Sequence, residues 1–298
     1  GINLIQDFPI PTPFEAPYRL AMGLINLKEA DWLKIDNEFE SQLKKKKQLL
    51  ATRHDAVSLA EYGSEKAQKE LLYLISTYLL KYHRDKYIRT KNFIKIRETS
   101  DFINLESKTS NAIELAARLV QEDLCLLEHK VGAWRLTAAT VCFPTRWKLS
   151  EKMNQTIDKI HDPVPGYNEK LASPVSRFLD HLKVERPVWR LNWSLVDDPD
   201  LFQPNGHNAI KINRDITNQN AGNKIWLRIE RQTLRRLKHT GAIIFTIRIQ
   251  RWPLRALKGH PDKIEKLRTS IETMPDSMKN YKSLKTFGSS LAAFLKEF

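Results

Sequence analysis

Cysteine is scarce: Cys125 and Cys142 are the only two in 298 residues. Both lie in apolar segments and neither belongs to a C-x-x-C pair. This argues against a disulfide scaffold and a structural zinc site, and predicts two buried reduced thiols. No apolar run reaches the roughly 18 residues that cross a bilayer, so no membrane span is expected. Residues 1–9 lack a basic region followed by a long apolar one, so no secretory signal is expected, and a cytoplasmic protein is the default. There is no internal repeat, zinc-finger spacing, RNP-like aromatic motif or basic-zipper heptad. Acidic residues are outnumbered, 35 against 49 basic ones, for a net charge of +14. The excess is spread over Lys44 to Lys47, Lys81 to Arg97 and Arg228 to Lys238. Such a field attracts nucleic acid, an acidic protein or an anionic ligand. Charge alone leaves that choice open, and the missing motifs argue against nucleic acid.

What is present suits an ordinary globular chain with a large core, 41% apolar and 28% charged. Pro9, Pro11, Pro13 and Pro17 predict an extended strap. Helical periodicity follows over residues 28–50, 64–82 and 109–121, with Lys44 to Lys47 as the solvated end of the first helix. From residue 122 the period changes. Residues 123–128 and 133–143 predict two strands joined by a tight turn at Lys130-Val131-Gly132. A helix over 149–160 and another around 174–182 come next. Strands are then predicted at 188–196, 224–232 and 242–250, with a polar loop at 197–223 between the first two. The tail returns to helix at 262–273 and 283–297. The expected architecture is α+β, a five-stranded antiparallel sheet with flanking helices and helical extensions at both ends. Its expected divisions are 1–121, 122–252 and 253–298.

One histidine stands out. Leu149, Met153, Ile157 and Ile160 form an apolar stripe at helical spacing, and His161 lies on its edge, four residues after Ile157. Pro163 ends the helix, and Pro165 and Gly166 complete a stiff turn. An imidazole aimed at apolar space from a fixed backbone suits an axial ligand to haem iron. A core histidine bonded to a nearby carbonyl, or one exposed at a helix C-terminus, fits the same spacing.

Period two on the last three strands separates an apolar face from a polar one. Arg190, Asn192 and Ser194 alternate with Trp189, Leu191, Trp193 and Leu195. Trp226, Arg228, Glu230 and Gln232 alternate with Ile225, Leu227 and Ile229. On the third strand Thr246 and Arg248 oppose Ile243, Phe245, Ile247 and Ile249. The polar row is either the wet side of a half-buried sheet or the lining of a ligand pocket, and the pattern leaves both open. As a pocket, its arginines would hold a carboxylate or polarise bound dioxygen, and Glu230 would receive a cationic amine or act as a base.

Seven motifs occur in a fixed order: Pro17-Tyr-Arg-Leu-Ala-Met-Gly23, Gln121-Glu-Asp-Leu124, Phe143-Pro144 with Trp147, Ile160-His-Asp-Pro-Val-Pro-Gly-Tyr167, Arg190-Leu-Asn-Trp193, Leu227-Arg-Ile-Glu-Arg-Gln-Thr-Leu234 and Thr240-Gly-Ala-Ile-Ile-Phe-Thr-Ile-Arg248. Over residues 9–290 the chain resembles the haem-dependent oxidative N-demethylase family, to which the α subunit of dimethylamine demethylase belongs. The resemblance implies a haem-binding PAS-like fold. It also implies haem b as cofactor and removal of a methyl group from a small secondary amine, with dioxygen at the iron and formaldehyde as product. Electrons would come from NADPH through separate flavin and iron–sulfur components, and an acidic reductase would suit the basic surface. By the matching motif, His161 is the implied axial ligand. Arg228, Glu230, Asn192 and Trp193 are assigned to the oxygen and substrate side, and Arg190, Trp226, Arg231 and Arg248 to the cofactor. The chain departs from the family at Leu237-Lys-His-Thr-Gly241 and Glu151-Lys-Met-Asn154, which makes His239 a second ligand candidate. A haem-PAS gas sensor or carrier without turnover, and a basic nucleic-acid or protein-binding module, are the competing functions.

Overall fold

The computed structural model describes residues 9–297; the reading of the chain start rests on residues 1–8 and lies outside them. Ten strands are present among the described residues: β1 (Ile25–Asn26), β2 (Ser58–Ala60), β3 (Tyr87–Thr90), β4 (Phe93–Ile96), β5 (Phe102–Asn104), β6 (Asp123–Lys130), β7 (Ala133–Thr140), β8 (Val188–Val196), β9 (Trp226–Arg236) and β10 (Ile243–Pro253). Seven of them form one antiparallel sheet in the order β1-β8-β9-β10-β6-β7-β2. The five expected strands are its middle five. The expectation of a five-stranded sheet is corrected by β1 and β2, edge strands too short to carry a period-two signal. The β6–β7 turn is as expected, with Val131 and Gly132 both at positive φ, 51° and 75°, the pairing that a two-residue hairpin turn requires. Residues 87–104, predicted only as basic, form a separate three-stranded sheet, β3-β4-β5.

The helices follow the expected segments with three corrections, one being that residues 283–297 form a 3-10 turn, Leu284–Phe287, and then a helix, Ser290–Lys296. Glu65–Tyr82 is one helix, whereas the segment from residue 28 gives a short 3-10 turn and then a helix only from Phe39 to Thr52. Lys46, expected in solvent, is fully buried there. Its Nζ donates to Val120 O and Glu122 O, both at 2.7 Å. The helix expected over 149–160 is two single turns, Leu149–Lys152 and Ile157–Ile160, separated where Met153 turns extended and Asn154 takes φ 59°. The apolar stripe survives the break, because both turns press the same residues into one cluster. Leu149 is buried, with Met153, Ile157 and Ile160 packed beside it.

Cross-strand register decides which side chains share a face. Arg190 pairs with Gln232, Asn192 with Glu230 and Ser194 with Arg228. On the other side of β9, Gln232 pairs with Ile247, Glu230 with Ile249 and Leu234 with Phe245. The polar row of β8 and β9 therefore continues onto the apolar residues of β10. Arg248 lies on the opposite face, paired with Arg231, which corrects the expectation that the three polar rows coincide.

Each face has its own cover. The Arg231 face meets the helix Glu65–Tyr82 through Ile75 and Leu79 at one end. At the other it meets the C-terminal helices through Leu227, Ile229 and Trp252. The strap runs along those helices, with Ile10 and Phe14 buried and Tyr18 N bonded to Thr273 Oγ1 at 2.8 Å. The Glu230 face is covered by residues 149–182 through Leu149, Leu179 and Leu182. No helix among the described residues is long and apolar enough to cross a membrane. Both cysteines are free and buried, and burial pushes both thiols up, Cys142 to about 12.

Candidate active site

The cover over the Glu230 face does not close on the middle of the sheet. Phe245 and Leu234 pair with each other on central strands, yet both remain half-exposed. Opposite them, Met153, Ile157, Ile160, Val175 and Phe178 are half-exposed as well, although all belong to one apolar cluster. Central residues stay accessible only where the covering layer stands off from the sheet. The opening has apolar walls and a polar row at one end, the composition of a small-molecule site.

His161 stands at this opening. Thr156 Oγ1 accepts the Lys159 N–H and starts the final helical turn. His161 ends that turn, with Lys152 Nζ bonded to the carbonyl of the residue before it, Ile160, at 2.9 Å. The imidazole stacks on Tyr167, ring centroids 4.5 Å apart and planes 18° from parallel. His161 Nδ1 lies 2.8 Å from Ile157 O, so Nδ1 carries the proton and donates it. Among the described residues nothing bonds Nε2. Burial pulls the imidazole's pKa below 6.5, with Lys152 and Arg190 adding to the effect against the Ile157 bond. A neutral ring anchored through one nitrogen, with the other unbonded, is what an iron ligand requires. Tyr167 Oη is buried beside it without a partner, and burial raises its pKa. These residues fit a haem group: an imidazole with one nitrogen unbonded among the described residues, beside a cluster of partly exposed apolar side chains.

The polar end is ordered by the ladder. Arg190 donates Nε to Met22 O at 2.7 Å and Nη1 to Gln232 Oε1 at 2.6 Å. Asn192 Nδ2 donates to Glu230 Oε1 at 3.3 Å. Two residues invisible to the sequence reading lie beside it at the outer edge of β8. Lys282 arrives from the C-terminal segment past the outer edge of β8, where β1 covers only Val188 and Trp189. Its Nζ donates to Trp193 O at 2.7 Å and sits 4.4 Å from the Trp193 ring centre. Burial pulls it down to about 8, against the charge of Glu230, with Arg190 assisting. Tyr281 is pushed up to about 12 by burial, with Glu230 second, and meets His207 edge-on at 4.7 Å. No periodicity pointed to Tyr281 and Lys282, which reach the edge of β8 and the Trp193 side of the sheet through a wrap of the tail.

The other expected site residues lie elsewhere. Arg228 is fully buried on the Glu230 face, but its five bonds go to Thr145 Oγ1 and to the carbonyls of Asp200, Phe143, Pro144 and Leu201, at 2.8–3.3 Å. It ties residues 143–145 to residues 200–201, and only one Nη1 hydrogen is without a partner among the described residues. Trp226 is half-exposed at the start of β9, four residues from Glu230, or about 13 Å along the strand. Arg231 donates to Trp32 O and Asp31 O from the opposite face. Arg248, also there, pairs with Asp36 and Gln42. Trp193 packs edge-on against Phe14 on that face, ring centres 5.2 Å apart. His239 is exposed in the β9–β10 turn, its N–H donated to Glu70 Oε2 at 2.8 Å. The structure thus brings together His161, Arg190, Asn192 and Glu230, and separates them from Trp226, Arg228, Arg231, Arg248 and His239.

The family model of the haem-dependent oxidative N-demethylase, alpha subunit-like, matches residues 23–292. The chain belongs to this family. Membership carries haem dependence and an oxidative N-demethylase-like activity, and the alpha-subunit description implies a partner subunit.

Proposed function

We propose that the protein removes a methyl group from a secondary amine by haem-dependent oxidation, in which His161 would hold the haem iron and Glu230 would bind the amine. The arrangement of His161 supports this reading most directly: a neutral imidazole anchored at Nδ1 with Nε2 unbonded, on a turn packed over the sheet face that carries Glu230. The balanced change converts the amine, dioxygen, two electrons and two protons into the demethylated amine, formaldehyde and water. Haem b, when bound, supplies the oxygen activation that no side chain can.

The chain's own part is binding, orientation and exclusion of water. Glu230 accepts the amine's N–H through the carboxylate oxygen that Asn192 leaves free. Asn192 fixes the carboxylate plane. Arg190, held by Met22 and Gln232, is oriented as a donor along the same row. Met153, Ile157, Phe178 and Phe245 keep the surroundings apolar, which strengthens every polar contact within. The electrons are assigned to NADPH by way of a separate reductase with flavin and iron–sulfur components, and the basic surface suits an acidic partner. We also read the five middle strands as a PAS-like core, with the divisions at 121/122 and 252/253 bounding it.

Glu230→Gln keeps the shape and the Asn192 contact but removes the charge. Amine-dependent oxygen consumption is expected to fall roughly a hundredfold in kcat/KM, the scale of a buried charge pair losing one member. An unchanged rate would remove Glu230 from the site.

A further inference from the structure

Residues 161–167 double back on themselves. The Val164 N–H donates to His161 O at 2.9 Å and the Tyr167 N–H to Val164 O at 3.1 Å. Pro163 and Pro165 fix φ within these two turns, and Gly166 takes φ 80°, a left-handed conformation that glycine adopts without strain. The backbone thereby returns Tyr167 to His161, and their rings stack with centres 4.5 Å apart. Together with the Nδ1 bond to Ile157 O, the stacked ring fixes the plane of the imidazole. Phenylalanine would serve that purpose equally well, so the hydroxyl needs a separate reason.

Tyr167 is 4% exposed, and its Oη, closed to water, has no hydrogen-bond partner among the described residues. A buried tyrosine ordinarily bonds its hydroxyl. The other buried tyrosines among the described residues, Tyr78 and Tyr87, do so by donating to Ala30 O and Leu119 O. Tyr167 differs from them in standing against the residue that would hold the haem iron. With His161 on one side of the iron, dioxygen and the amine take the other side, so neither is the missing acceptor. The oxygens that belong to the haem itself are those of its propionates. We propose that Tyr167 is a haem-binding residue whose hydroxyl donates to a propionate carboxylate. The inference rests on the reading of His161 above and concerns the cofactor side of that same site.

Tyr167→Phe keeps the ring and removes only the hydroxyl. Haem-loaded unaltered protein and variant are mixed with excess apomyoglobin, and loss of haem is followed at the Soret band. The variant is expected to lose haem about tenfold faster, the effect of one charge-assisted hydrogen bond. Loaded instead with iron etioporphyrin, a haem analogue without propionates, the two proteins are expected to agree within about twofold, because the coupled partner is then absent from both. The ferric electron paramagnetic resonance g-values of the haem-loaded variant are expected to match those of the unaltered protein, since the stacked ring still holds the imidazole plane. Unchanged haem loss in Tyr167→Phe overturns the proposal. The same acceleration with iron etioporphyrin overturns it as well, because the hydroxyl then acts through packing. Shifted g-values overturn it too, because the hydroxyl then acts through His161. A Soret band lost in His161→Ala beside unchanged haem loss in Tyr167→Phe sinks this inference alone. A band that His161→Ala leaves intact sinks the reading of His161, and this inference with it.

Discussion

Replacing His161 by alanine is expected to abolish or shift the intense Soret band of the haem-loaded protein and to weaken haem retention by more than about a hundredfold. The scale follows from comparison: loss of a residue that only orients a metal-bound histidine costs roughly 10–100-fold in affinity, and here the ligand itself is removed. The variant should fold, because His161 is only half-buried and its Nδ1 bond closes a helical turn that its own backbone N–H already closes on Ile157 O at 3.2 Å. Added imidazole is expected to restore the band in part, since it can occupy the space left against Tyr167. Absorption spectra of both proteins, before and after adding haem, decide the matter. An unchanged band in His161→Ala would mean that the iron takes its axial ligand elsewhere. The exposed His239 would then be a poor substitute, tied as it is to Glu70 on the far side of the sheet.

The strands were legible because apolar and polar residues alternate along 188–196, 224–232 and 242–250. Their register was not. Shifting a strand by one residue exchanges its faces, and nothing in the sequence of β10 says whether Arg248 or Ile249 lies level with Glu230. The answer, Ile249, moves Arg248 and Arg231 to the other side of the sheet and leaves Arg190 as the arginine of the pocket. His161 was legible for a related reason. Its stripe of Leu149, Met153, Ile157 and Ile160 reports which side faces the core, and that remains correct although the helix breaks at Asn154. Lys282 was out of reach of any local pattern, because it meets the edge of β8 from almost ninety positions away in sequence. Local periodicity reads a face; it does not read which distant segment closes over it.

Arg228 shows how a motif residue can matter through architecture rather than chemistry. Its guanidinium is fully buried, and its five donor contacts hold four backbone carbonyls and the Thr145 hydroxyl. Burial pulls its pKa down to about 10, far enough above neutrality for the charge to persist. Arg228→Met keeps much of the length and relieves the buried charge, yet it leaves several carbonyls facing a side chain that cannot donate. The unsatisfied acceptors should dominate, since an orphaned buried polar group costs about 1–3 kcal/mol and several are created at once. The expected loss is about 3–5 kcal/mol, or a fall of about 6–10 °C in melting temperature for a chain of this size. The folded fraction should still bind haem through His161, whereas Glu230→Gln should leave the melting temperature nearly unchanged and reduce turnover. Thermal melts and Soret spectra of the two variants, measured side by side, test this division of labour. A stable Arg228→Met protein that had lost amine turnover would return Arg228 to the reacting centre, and the carbonyl-bound guanidinium would then have to rearrange when substrate binds.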